Sequence, residues 1–319
     1  MVGRLRGRTV GAGAQRYWGD DSMTRTHGGY SRRAGAALAV VMSAALVLVA
    51  FAVMPAAATV GKPGPTTTGV PAGTQLTVHN GDLTITKAGS VYSALDIHGF
   101  VWVKAADVTI KNSIIRGGVA GSDVGLVNDI SSAATNFVIS DSELVPQHPS
   151  VRIDGIKGWN YTASRLNIHG TVDGAKVFGN NATLQDSYIH DLASYSSDPD
   201  QGGGPAHNDG IEILGGTHVR VLDNSFVIGT AQKSAVQVNQ VVHATKDLWI
   251  NGNAADGGLC TFNLTNRPLA SMGGVTINNN HFGPHTPDNC AIIIKPAVTF
   301  TASGNIMDAT GLPARIRIL

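Results

Sequence analysis

A short phrase returns eight times along the chain: an apolar residue, a spacer, usually Asp, Asn or Gly, then most often Asn or Ser. Clear copies are Ile110-Lys111-Asn112-Ser113, Ile139-Ser140-Asp141-Ser142, Leu184-Gln185-Asp186-Ser187 and Val221-Leu222-Asp223-Asn224. Ile250-Asn251-Gly252-Asn253 and Ile277-Asn278-Asn279-Asn280 continue the series, with Ala163-Ser164-Arg165-Leu166 and Ala302-Ser303-Gly304-Asn305 as degenerate members. Successive copies start 29, 24, 21, 37, 29, 27 and 25 residues apart. A period of roughly 20–30 residues, carried by strand-like segments without a helical pattern, is the signature of a solenoid. In a solenoid, distant positions become neighbours on adjacent coils.

The repeats leave room for one domain among the 319 residues. The 39 Gly, 13 Pro, 6% aromatic and 14% charged residues suit a turn-rich fold around a narrow aliphatic core. The net charge of +1 conceals an asymmetry, because residues 1–58 hold seven Arg and two Asp. The remainder has 16 basic against 20 acidic residues, which excludes a nucleic-acid footprint.

The N-terminus reads as a targeting segment. Arg32-Arg33 precede an apolar run from Ala34 to Met54, and Ala56-Ala57-Ala58 offers a small-residue cleavage site. Met23 is a candidate start that would give an n-region of ordinary length. The expected organisation is a signal peptide over 1–58, a Pro/Thr/Gly linker over 59–74 and one repeat domain over 75–319. The alternative to secretion is a membrane anchor through 34–54, long enough to span a bilayer. Two cysteines follow, Cys260 and Cys290, each opening an apolar strand at the same place in adjacent repeats. Parallel strands about 4.8 Å apart bring such residues within disulfide reach, and export favours the bond.

Each repeat holds at least a second strand, as in Asp209-Gly210-Ile211-Glu212-Ile213 and Ser234-Ala235-Val236-Gln237-Val238. Period-two alternation turns Ile211 and Ile213 inward and Glu212 outward. The fourth phrase position reads Ser113, Ser142, Leu166, Ser187, Asn224, Asn253, Asn280 and Asn305, a row of side chains suited to bonding turn backbone along the axis. This pattern resembles the right-handed parallel β-helix proteins of the pectate-lyase-like superfamily over roughly residues 76–310. The resemblance implies an all-β solenoid of about eight to ten coils. It also implies a secreted protein acting on, or binding, an acidic or neutral polysaccharide through a groove beside one sheet; a monomer is expected.

Candidate chemistry gathers where three Asp-Gly pairs open successive second strands: Asp154-Gly155, Asp173-Gly174 and Asp209-Gly210. Stacking places their carboxylates in one axial row, which repel unless paired, protonated or bound to a cation. Arg152, Lys157, Lys176 and Lys233 are the nearby cations, with Lys157 and Lys176 in register with Glu212. His169 and His190 are expected to stack on each other, and His207 ends the long insertion of the 37-residue step. Such a mixture suits β-elimination from a uronic acid. In that scheme His207 or Lys233 removes the proton, Arg152 and Lys176 hold the substrate carboxylate beside Asp154 and Glu212, and His190 protonates the leaving oxygen. Calcium on Asp173 and Asp209 is a candidate cofactor. Hydrolysis by Asp173 and Asp209, and non-catalytic glycan or cell-wall binding, are the alternatives. The W-x-D-H and R-x-P-x-x-R stretches of pectate lyases are absent. Of the polygalacturonase signatures only Asn208-Asp209-Gly210 has a counterpart, so no catalytic residue transfers from either group.

Overall fold

A computed structural model describes residues 61–229, 233–265 and 271–319. The expected signal segment, its alternative start at Met23 and the 34–54 anchor lie outside the described residues. Among the described residues no helix is long and apolar enough to cross a membrane.

The chain visits three sheets in strict rotation, A then B then C, and each strand pairs in parallel with the strand one circuit earlier. Among the described residues, sheets A and B have ten strands and sheet C has nine. The arrangement is that of a parallel β-helix. One circuit runs through Tyr188–His190 in sheet A, Asp209–Ile213 in sheet B and Gly216–Leu222 in sheet C. The only helical element among the described residues is a 3-10 turn at Pro199–Gln201 in the long insertion. Inward positions stack into columns such as Ile139, Ala163, Leu184, Val221, Ile250 and Ile277, each at most 1% exposed. Burying each large aliphatic member contributes ~1.5–3 kcal/mol.

The repeated phrase is the corner between sheets C and A. Its third position adopts the left-handed conformation in all eight copies, from Asn112 (φ 51°) through Asp186 (51°) to Gly304 (65°). Asp, Asn and Gly tolerate that region best. Arg165, the unusual member at φ 51°, is held by a two-pronged contact to Asp141 at 2.6 and 2.8 Å. The fourth position is the internal ladder. Asn224, Asn253 and Asn280 donate from their backbone N–H groups to the side-chain oxygens of Asn253, Asn280 and Asn305 at 3.0–3.1 Å. Their side-chain amides donate to Leu184, Val221 and Ile250 carbonyls at 2.9 Å. Ser113 and Leu166 bond in the same way to Ser142 and Ser187.

The expected linker is in part docked. Lys62 pairs with Asp308 at 2.9 Å and Gly69 donates to the Arg165 carbonyl at 2.9 Å, so 61–69 lies against several coils. At the other end, Cys260 and Cys290 form the disulfide, with Cα atoms 4.7 Å apart.

Candidate functional site

Where the Asp-Gly pairs lead into sheet B, the period-two rule breaks in a way that builds the site. In Asp154-Gly155-Ile156-Lys157, two consecutive residues point inward. A Cβ on Gly155 would meet the Gly174 carbonyl at 2.1 Å and Ile168 at 3.1 Å, and Ile156 is fully buried. The first and fourth residues therefore emerge on the same outer side. Register makes the first position a column of Gly125, Asp154, Asp173, Asp209, Ser234, Cys260 and Cys290, and the fourth a column of Asn128, Lys157, Lys176, Glu212, Gln237 and Asn263.

The three Asp side chains form a ladder of their own. Asp173 donates its N–H to Asp154 Oδ1 at 3.2 Å, Asp209 donates to Asp173 Oδ1 at 2.8 Å, and the Ser234 N–H bonds to Asp209. Each Asp is only 2% exposed. Lys176 Nζ lies 2.9 Å from Asp173, 3.2 Å from Asp154 and 3.5 Å from Glu212. Lys157 Nζ lies 2.5 Å from Asp123 and 3.2 Å from Asp154. The contacts to Asp154 Oδ2 are ion-pair contacts without hydrogen-bond alignment.

Carboxylates outnumber cations here, and the protonation pattern follows. Burial, then the charges of Asp173 and Glu212, raises Asp209 well above the carboxylate range, although Lys176 and the Ser234 N–H oppose the shift. Burial likewise pushes Asp173 up to about 8 against the pull of Lys176. Burial works against the charge on Lys176, but Asp173, Asp154 and Glu212 together outweigh it and hold its proton firmly. Asp209 thus holds its proton more firmly than an ordinary carboxyl, and its Oδ1 has no hydrogen-bond partner.

Beyond Asp209 the two columns open into a cleft of about 410 Å³. His207, Asp209, Lys233 and Glu212 line it, together with Gln201 from the insertion and the amides Gln237, Asn239 and Asn263. Lys233 is positioned by its N–H to the Asn208 carbonyl at 3.0 Å, and Asn239 donates to Glu212 at 2.6 Å. The amides were missed in the sequence, although Ser234-Ala235-Val236-Gln237 and Cys260-Thr261-Phe262-Asn263 continue the Asp-Gly-x-Lys frame.

Other candidates sit elsewhere or are already engaged. His190 is at the end of a sheet A strand. There it stacks on His169 at 5.0 Å, as expected, and on Tyr188 at 4.1 Å, with bonds to Asn167 and Asp191. These partners are not members of the Asp row, so His190 does not join the cluster. Arg152 faces the insertion, 3.5 Å from Asp200, and Lys176 is consumed by the row. Calcium fits poorly on Asp173 and Asp209, because the Lys176 ammonium occupies the cation's place beside Asp173. Among the described residues no group of three or more His, Cys, Asp or Glu is arranged to hold a metal ion.

No protein-family model matches this chain, and no curated protein matches it.

Proposed function

We propose that the chain is an exported right-handed parallel β-helix of the pectate-lyase-like kind, which cleaves a uronic-acid-containing polysaccharide by β-elimination in the sheet B cleft. The observation that carries this reading is the convergence of His207, Lys233 and the buried Asp209 on one polar cleft; the upward shift of Asp209 favours its protonated form. Elimination needs the uronate charge quenched, the C5 proton removed and the leaving oxygen protonated. Protonated Asp209 and the Gln237 and Asn263 amides quench the charge by donating hydrogen bonds. One of His207 and Lys233 takes the C5 proton as the C4–O bond breaks and the C4–C5 double bond forms; the other protonates the departing oxygen. Hydrolysis fits less well. Its two carboxyl groups must flank the scissile bond, whereas Asp209 and Glu212 rise three residues apart from one strand. The Cys260–Cys290 bond supports an oxidising, extracellular setting.

The test is to follow the ultraviolet absorbance of the unsaturated product over a panel of uronate polysaccharides. Wild-type protein is expected to give signal with at least one polymer; His207→Ala should reduce it about 100-fold without unfolding, and Asp209→Ala, which removes the donor, should reduce it more than Asp209→Asn, which keeps one. Reducing ends released without absorbance would move the assignment to hydrolysis. Binding without turnover on every polymer would make the protein a glycan-binding scaffold.

A further inference from the structure

The outer face of sheet C holds a second constellation, away from the cleft. Its central outward column reads Thr109, Val138, Thr162, Thr183, Arg220, Trp249, Thr276 and Thr301 in register. Trp249 is 43% exposed in the midst of short polar side chains. One side of its ring is backed by the Arg220 guanidinium, 4.7 Å from the ring centroid. That guanidinium is pinned by donations to the Asp247 carbonyl at 2.6 Å and its carboxylate at 2.7 Å. The ring is thus a fixed platform, and the charge beneath it is cancelled. Thr276, the next residue of the column, is too short to cover the ring's other side.

Alongside Arg220 lies a cavity of about 370 Å³, lined by Thr162, Thr183, His218 and the corner amides Asn136, Asn160 and Asn181. The amides belong to a second left-handed column, Asn136 (φ 54°), Asn160 (58°) and Asn181 (58°), which fixes them at the rim. Hydroxyls and amides that both donate and accept, next to a rigid aromatic face whose guanidinium is paired, recognise hydroxyl groups and the apolar face of a sugar ring. From Thr162 to Trp249 the surface crosses three strand spacings, about 14 Å, enough for a short run of sugars.

We infer that this face is a binding site for an uncharged, hydroxyl-rich glycan chain, stacked on Trp249 and hydrogen-bonded by the adjoining cavity. It is independent of the cleft and of the elimination proposed there. Affinity electrophoresis through gels containing soluble β-glucan, xylan, galactomannan or polygalacturonate tests it. At least one neutral polymer is expected to retard the wild-type protein, equally at low and high salt. Trp249→Ala should weaken that binding about tenfold or more, Asn181→Ala should weaken it less, and Trp249→Phe should retain most of it. Thermal unfolding confirms that each variant is folded; should Trp249→Ala fail to fold, the loss in Asn181→Ala reads the same site. No retardation by any neutral polymer, retardation unchanged in Trp249→Ala, or binding confined to polygalacturonate and abolished by salt would each overturn the inference.

Discussion

Two columns of side chains run along the helix axis and perform the same local task with different chemistry. At the corner between sheets C and A, Asn and Ser oxygens accept the N–H of the preceding coil. At the opening of sheet B, the Asp154 and Asp173 oxygens accept the N–H of the following coil. The amide column is electrically neutral, and its amides return their own N–H groups to carbonyls. The carboxylate column can only accept, so its excess charge must be met by Lys157, Lys176 and retained protons. Backbone satisfaction alone would favour amides at both places. The carboxylates persist at the column that leads into the cleft, which is why that column and not the other is read as functional.

The sharpest way to break the comparison is to remove the cation that only the second column needs. Lys176→Met leaves Asp154 and Glu212 without a shared counter-ion, and should lower stability by about 3–5 kcal/mol at pH 8. The cost should depend on pH. An Asp in the unfolded chain releases its proton near 3.8, whereas Asp173 keeps it up to about 8 in the fold. Between these values the folded state binds more protons, so this contribution is full below 3.8 and lost as pH rises through about 8. Acidification also protonates Asp173, one of the carboxylates that Lys176 had served, so the variant's deficit should shrink from pH 8 to pH 5. Urea unfolding of both proteins across that range measures it, and a deficit independent of pH would show that Lys176 acts through packing.

The amide column should respond differently. Asn253→Ala strips the Asn224 N–H and the Val221 carbonyl of their partners in a fully buried setting. Two orphaned groups amount to about 2–4 kcal/mol. No ionisable group is involved, so the loss should be the same at pH 5 and pH 8. The pair of pH profiles separates the two columns more cleanly than either magnitude.

The amide column was legible in the sequence because each copy keeps the same offset from an apolar residue, and the left-handed corner restricts the position before it. The disulfide and the Asp row followed from the same alignment. The engaged state of Lys176 did not. Period-two reasoning separates inward from outward positions, but the close approach of Gly155 to Gly174 forces two inward residues in succession and sets Asp154 and Lys157 side by side. His190 was misplaced for a related reason. Alternation shows that it points outward, and stacking on His169 shows its row, but neither reveals which of three faces that row occupies. Arg152 pairs with Asp200 in an insertion that has no counterpart in other coils, so no repeat could have announced it.

The ladder's one apolar rung gives the smallest and most discriminating test. Leu166 stands where seven other copies place Asn or Ser, and it offers no oxygen to the Ser142 N–H. If hydrogen bonding governed the column, Leu166→Asn would stabilise the protein. Leu166 is fully buried, however, and its burial is worth ~2–3 kcal/mol, against about 1 kcal/mol for a typical net hydrogen bond. The substitution should therefore destabilise by about 1–2 kcal/mol, at pH 5 and pH 8 alike. A gain in stability would mean that the ladder's bonds reinforce one another along the axis, so that a single gap costs more than one bond.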